Sequence, residues 1–195
     1  MRKFFSSIWF RCIAVLVGIS NVSGGLLGLL NDLLFVTPEE RTSRAIKSIY
    51  GIEKEYEDLQ KNFTYENYGE ILQIYKIKGD TDSKFDYLFK SKGYNGYKNG
   101  TVTVWVQVNF DNGAYKINKV IYAEADKQTL MSKFGDEYYE YFTEDFINEI
   151  EQGKRFTPIK EADGIEHVMS GATKSATAVC NAVNAVIECY LGGNL

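Results

Sequence analysis

Residues 101–110 read Thr101-Val102-Thr103-Val104-Trp105-Val106-Gln107-Val108-Asn109-Phe110. Successive side chains of an extended chain point to opposite sides, so Val102, Val104, Val106 and Val108 share one face and Thr103, Trp105, Gln107 and Asn109 the other. Four β-branched residues in one register mark a strand that packs on a core. Asp111-Asn112-Gly113 follows, a hairpin turn made of residues that tolerate positive φ. Residues 115–124, with Ile117 and Val120-Ile121-Tyr122, read as the returning strand. The two halves are expected to pair antiparallel.

The same alternation extends upstream. Ile71, Gln73, Tyr75 and Ile77 alternate with Leu72, Ile74 and Lys76, which predicts one strand. Gly79-Asp80-Thr81-Asp82-Ser83 predicts a turn, and residues 85–92 a second strand closing at Gly93-Tyr94-Asn95-Gly96. Residues 70–124 therefore read as a four-stranded antiparallel meander. Downstream the period becomes helical. Leu130, Phe134, Tyr138, Tyr141 and Phe142 recur at three- and four-residue steps, continued by Phe146, Ile147 and Ile150. Asp136, Glu137, Glu140, Glu144, Asp145 and Glu149 occupy the other face, either as a solvated surface or as a docking surface for a redox partner. Residues 153–163 read as loop. A last helix carries Ala176, Val179, Cys180, Val183, Val186, Ile187 and Tyr190 on one face and ends at Gly192-Gly193. The expected fold is α+β, an antiparallel sheet packed with helices.

The N-terminal third is different in kind. From Cys12 to Asn31 no residue is charged, a length that crosses about 30 Å of hydrocarbon. Arg2, Lys3 and Arg11 precede it, and Asp32, Glu39 and Glu40 follow. The positive-inside rule then places the N-terminus in the cytoplasm and the remainder outside. Ser20, Asn21, Ser23 and Gly24-Gly25 in its middle suit packing against other membrane helices. A cleaved signal peptide and a buried soluble helix are the competing readings; the length of the apolar run and the lack of an A-x-A site after it favour an anchor. Thr37-Pro38-Glu39-Glu40 is a capping-box helix start, running to about Tyr50 with Gly51 as stop. Residues 52–61 suggest a second short helix. The expected division is 1–36 transmembrane anchor, 37–67 juxtamembrane helical connector and 68–195 extracytoplasmic domain.

Composition removes several functions. The net charge is −4, with no basic surplus to neutralise phosphates, so nucleic-acid binding is not expected. Of three cysteines, Cys12 lies in the apolar run, while Cys180 and Cys189 share a predicted helix. Nine residues place them about 13 Å apart along the axis, too far for a disulfide, which needs Cα atoms within about 7 Å. Cys189 lies off the apolar stripe and is expected to be the more exposed. The single histidine, His167, reads as a loop residue without special role, as part of a recognition segment, or as a lone metal ligand. Asn21, Asn62 and Asn99 begin N-x-[ST] sequons of no expected use. No Ser-His-Asp or Cys-His set is present.

One stretch remains. Ser170-Gly171-Ala172-Thr173 stands at the start of the last helix, where free N–H groups and the helix dipole favour an anion. Gly171 and Ala172 let a bulky group approach the backbone, and Ser170 and Ser175 offer hydroxyls. On physics alone this is either a phosphate seat or an ordinary Ser/Thr cap. The tetrapeptide, followed by Ser175 and a small-residue helix, resembles the flavinylation motif of the FMN-binding domain family. That family includes the G subunit of the Rnf electron-transport complex and the C subunit of sodium-translocating NADH:quinone reductase. Gly93-Tyr94-Asn95-Gly96, the Val102–Val108 strand, Asp111-Asn112-Gly113 and Lys119-Val120-Ile121 resemble the family's succession of turns and strands, and the N-terminal anchor matches its layout.

The resemblance implies FMN bound by a phosphoester to Thr173, attached outside the cytoplasm by a separate flavin transferase, with Ser170, Gly171, Ala172, Ser175, Thr129 and Tyr94 around it. It implies an electron-carrier subunit among other subunits of a membrane ion-translocating redox complex, without catalysis of its own. Tyr94, Tyr97 and Trp105 are candidates, from their placement, for the aromatics that stack on the ring. Two positions depart from the pattern. His167, with Glu166 beside it and Asp163 nearby, stands where the family has Asp six residues before the modified Thr. Lys127-Gln128-Thr129-Leu130 stands for Glu-Thr-Pro-Gly and keeps only Thr129. An unflavinylated membrane-tethered binding domain and a stand-alone extracytoplasmic flavin carrier are the alternative functions.

Overall fold

The computed structural model describes residues 8–79, 85–111, 114–143, 147–159, 164–167 and 170–194. The chain forms two compact units, Met1–Arg44 and Ala45–Leu195. The first holds helix α1, Ile8–Leu34. Its stretch Cys12–Asn31, with a mean hydropathy of 2.0, is long and apolar enough to cross a membrane. Helix α2, Pro38–Tyr50, starts with the expected capping box: Glu40 N–H donates to Thr37 Oγ1 at 3.2 Å and Thr37 N–H to Glu40 Oε2 at 3.3 Å.

The second unit is built on an antiparallel sheet of β1 Tyr56–Asp58, β2 Phe63–Tyr65, β3 Gly69–Lys78, β4 Phe85–Gly93, β5 Val102–Asp111 and β6 Ala114–Ala125. The order is β1-β3-β4-β5-β6, with β2 also pairing β3. The four-strand meander is present, and the segment read as a connector adds two strands to it. Residues 52–61 do not form the expected helix. Gly51, at φ 75°, ends α2, and Asp58 Oδ1 accepts from Gln60 N–H at 2.8 Å, so the Asp side chain closes a turn between β1 and β2. The expected turn at 79–83 falls largely on residues 80–84, outside the described residues, as do 112–113 of the hairpin; Asp111 and Ala114 pair across the latter.

Two layers cover the sheet. On one face Ile71, Ile74, Phe89, Val102, Val104, Val106, Val108, Ile117 and Val120 form one core with the last helix, α5, Thr173–Leu191. On the other, Tyr75, Ile77, Leu88 and Trp105 pack with Ala45 and Ile46 of α2. The single alternation expected over 71–77 is interrupted. A register shift between Ile71 and Gln73 lets Ile71 and Ile74 face α5 while Tyr75 and Ile77 face α2. The same happens in β6, where Ile117 pairs Val108 and Lys119 pairs Gln107, so Ile117 and Val120 both reach the core. One extra residue per bulge reverses the pleat.

The periodic stretch at 130–150 is not one helix. It is a 3₁₀ turn at Met131–Lys133, helix α3 at Asp136–Glu140, a 3₁₀ turn at Tyr141–Thr143 and helix α4 at Ile147–Glu151. Gly135, extended at φ −78° and ψ 176°, breaks the run, yet Phe134, Tyr138, Phe142 and Ile150 are still buried. Phe146 lies outside the described residues. The expected loop at 153–163 contains strand β7, Phe156–Thr157, paired in parallel with β8, Ile165–Glu166.

Helix α5 is buried on more sides than its stripe predicts. Ala178, Ala182, Ala185, Asn184 and Cys189 join Ala176, Val179, Cys180, Val183, Val186 and Ile187 at 0–1% exposure, while Tyr190 is half-buried. Cys189 is therefore as buried as Cys180, against expectation, because β2 and β7 also pack against the helix and cover what a single-faced helix leaves open. Asn184 is satisfied in place: its Nδ2 donates to Phe156 O at 2.9 Å and its Oδ1 accepts from Phe156 N–H at 3.0 Å. All three cysteines are free.

Candidate functional site

A cleft of about 430 Å³ opens at the start of α5, lined by Tyr97, Thr129, Leu130, Gly171, Ala172, Thr173, Lys174 and Ser175. Two segments far apart in sequence, 129–130 and 171–175, thus meet with Tyr97 around one space. The volume lies in the range of small-molecule sites.

The helix start is bare. Ala172 occupies the N-cap position and no side chain caps the helix, so neither Ser170 nor Thr173 acts as the ordinary cap that the sequence allows. The first-turn N–H groups keep their capacity for an acceptor. Thr173 is exposed, and its carbonyl accepts from Thr177 Oγ1 at 2.9 Å. Ser170 is exposed in the preceding turn. Gly171 adopts φ 74°, a conformation that costs any other L-residue about 1 kcal/mol or more. Lys133 Nζ lies 3.3 Å from the point that a Cβ on Gly171 would occupy. Lys133 and Lys174 therefore place two cations beside the bare helix end, and both add to the attraction of the dipole for a phosphate.

Ser175 lines the cleft and is also tied into the scaffold. It is buried, and its Oγ donates to Gln128 Oε1 at 2.8 Å. Gln128 Oε1 also accepts from Tyr97 N–H at 3.0 Å, while Nε2 donates to Asp126 O at 2.8 Å and Tyr97 O at 3.3 Å. One carboxamide joins the Tyr97 loop, the turn before Thr129 and the first turn of α5. Gln128 and Lys133 were not singled out in the sequence. The visible signal for Gln128 is the pair Gly96 and Gly100 flanking Tyr97: a Cβ on either would fall within 2.7 Å of Gln128 Nε2.

Tyr94 and Trp105 are not among the residues lining the cleft. Tyr94 spends its main chain on the scaffold, its N–H donating to Tyr68 O and its carbonyl accepting from Asn181 Nδ2. Trp105 lies in the core on the α2 side of the sheet, 6.1 Å from Tyr75 between ring centroids. Of the three expected aromatics only Tyr97 faces the cleft.

His167 is neither at the surface nor in a metal cluster; no group of three or more His, Cys, Asp or Glu suited to a metal occurs among the described residues. It is stacked between Tyr138 and Tyr141, at centroid distances of 3.9 and 4.0 Å, with Phe142 edge-on at 4.5 Å. Its Nε2 is buried without a hydrogen-bond partner among the described residues. Burial pushes the imidazole from its ordinary 6.5 down to about 4, against a backbone hydrogen bond to Tyr138 that acts the other way. Between those two values the unfolded chain binds a proton that the folded chain refuses. Stability therefore falls as pH drops through that window, by at most about 1.4 kcal/mol per pH unit. Urea midpoints measured from pH 7 to pH 4 are expected to decline more steeply for the native chain than for His167→Phe. Parallel profiles would show that His167 titrates as if exposed.

Comparison with protein-family models, curated proteins and solved structures finds no match to the chain.

Proposed function

We propose that the chain is an electron-carrier subunit that holds FMN through a phosphoester on Thr173, displayed outside the cytoplasm by the N-terminal helix as part of a membrane redox complex. The observation that carries this reading is the cleft itself: an exposed Thr173 on an uncapped helix start, beside Lys133 and Lys174, opposite Thr129 and Tyr97. The residues fit a phosphorylated planar cofactor. Lys133, Lys174 and the first-turn N–H groups suit the phosphate, Gly171 keeps the approach open, and Thr173 supplies the oxygen of the ester. When bound, FMN supplies reversible electron acceptance, which no side chain of this chain provides. The ester forms as Thr173 Oγ displaces a leaving group from the phosphorus of an activated flavin and gives up its proton; a transferase brings that flavin. The protein positions the ring and sets the charge around it.

A second reading, an unflavinylated membrane-tethered binding domain, draws on His167. At the position where the resembled family has Asp, this side chain is locked between two tyrosines and cannot present itself to a transferase.

Expression in a membrane with an active flavin transferase separates the two. In-gel fluorescence of the denatured chain is expected for the native protein and is expected to vanish in Thr173→Ala. The peptide containing Thr173 should gain the mass of FMN less one water. A dark native band under those conditions rejects attachment in favour of the second reading. Co-purification with polytopic subunits tests membership of a complex, against a stand-alone carrier.

A further inference from the structure

Tyr97 is 41% exposed, yet its backbone is held at both ends by one side chain, since Gln128 accepts from its N–H and donates to its carbonyl. Gly100 N–H also donates to Tyr97 O, and Gly96 N–H to Gly100 O, both at 2.9 Å. The two glycines are tight: a Cβ on Gly96 would lie 2.6 Å from Gly100 O, and one on Gly100 2.2 Å from Asp126 O. Asn95, Lys98 and Asn99 in this loop, and Lys127 beside Gln128, all adopt left-handed φ between 52° and 65°. Such conformations are disfavoured, most of all for the lysines; they persist where the surroundings over-determine them and cluster at ligand clamps. Lys98 Nζ stands 5.4 Å over the Tyr97 ring. The core does not need this construction, because the ring is not buried in it. What the construction achieves is a fixed main chain that carries an exposed aromatic ring at the wall of the cleft that Thr173 also lines.

We infer that Tyr97 is the stacking platform for the planar ring of the group carried at Thr173, and that Gln128 is the positioning residue that holds the platform there. The inference rests on the flavin reading for the identity of the ring. The chemistry that recognises it is that of a flat, electron-poor heteroaromatic with an anionic end: offset stacking on a phenol, with Lys133 beside Gly171 and Lys98 over the Tyr97 ring.

Stacking has an optical signature that folding alone does not produce. A phenol in contact with an excited flavin transfers one electron to it and takes the same electron back, so the emission is lost and both groups are restored. The full-length chain, expressed in membranes with the transferase and solubilised in detergent, is read as native emission per covalently bound flavin, each value divided by that of the same sample after denaturation. The native chain is expected to be dark when folded. Tyr97→Leu should be several-fold brighter, Tyr97→Trp dark again, and Gln128→Leu bright although Tyr97 is intact. A Tyr97→Leu chain as dark as the native one, or a Tyr97→Trp chain as bright as Tyr97→Leu, overturns the platform; a dark Gln128→Leu overturns the positioning role.

If the native chain carries no covalent flavin at all, attachment has failed and the platform is decided separately, by titrating Thr173→Ala with free FMN. Saturable quenching that the added Tyr97→Leu change weakens by roughly tenfold supports it. Absence of saturable quenching, or quenching indifferent to Tyr97, overturns it.

Discussion

Gly93→Ala is expected to destabilise the sheet domain severely. At this position strand β4 and helix α5 meet backbone to backbone. A Cβ on Gly93 would lie 1.9 Å from Ala178 O and 2.4 Å from Ala182 N. Those two atoms are four residues apart on one helix, so the added methyl would drive into the helix's own i to i+4 hydrogen bond. Neither atom is the end of a flexible side chain that can swing away. The contact is pinned from the next position on the same face, where Ser91 Oγ donates to Ala182 O at 2.6 Å. To admit the methyl, α5 must withdraw from the sheet, and Ser91, Phe89 and the valine row of β5 lose their packing together. Ordinary overpacking costs about 1–3 kcal/mol; a backbone collision at a fixed contact should exceed it, against a total stability of about 5–15 kcal/mol. Thermal unfolding should show a midpoint lowered by about 10 °C or more, or no cooperative transition. A midpoint within a few degrees of the native chain would mean that α5 does not lie against β4 in this way.

Asn184→Leu is expected to be nearly as damaging, by a different route. The Leu side chain has a similar volume and would fill the space, so packing is not what is lost. The loss is hydrogen bonding: Phe156 N–H and C=O both lose the Asn184 amide that serves them in the core. Losing the partner of a buried backbone group costs about 1–3 kcal/mol, giving roughly 2–6 kcal/mol for the two. The effect should also spread in one direction. Phe156 pairs with Ile165 in β7 and β8, and His167 N–H donates to Thr157 O at 2.9 Å. Hydrogen exchange should accelerate at residues 156–167 before it does in β4 and β5. Uniform acceleration across the domain would show that Asn184 serves general packing, not this local pairing. Asn184→Asp keeps the acceptor but brings a charge into the core, and it should not rescue.

The sheet was legible because its signal is local. Four valines at alternate positions and a turn between two such runs need no knowledge of the rest of the chain. The bulges at Leu72 and Asn118 were not legible, since one extra residue leaves composition unchanged while reversing every facing after it. The stretch at 130–150 misled because its apolar spacing is that of a helix, while Gly135 and the neighbouring β6 favour short turns that bury the same residues. In the cleft, Thr173 and Thr129 could be named from the resemblance of their motifs. Gln128 could not, because its bonds span 31 and 47 residues and nothing beside it in sequence announces them. Burial of Cys189 and His167 was missed for the same reason: the residues that cover them come from elsewhere in the chain.

The central position of α5 has a consequence in time. Every strand of the main sheet is synthesised before Thr173, and the face that carries Ile71, Phe89, Val104 and Val106 has its cover only when residues 173–191 arrive. During elongation, at about 5–20 residues per second, a complete set of strands would wait for seconds with its greasiest side open to any other chain. Such long-range closure is slow and prone to wrong pairings. Under the membrane topology proposed above, a chain threaded across before it folds avoids that interval, since the strands and the helix that seals them then meet on the far side. Nascent chains halted before residue 173 should accordingly be sensitive to protease and retained by chaperones, and full-length chains halted on an added C-terminal tether should be resistant.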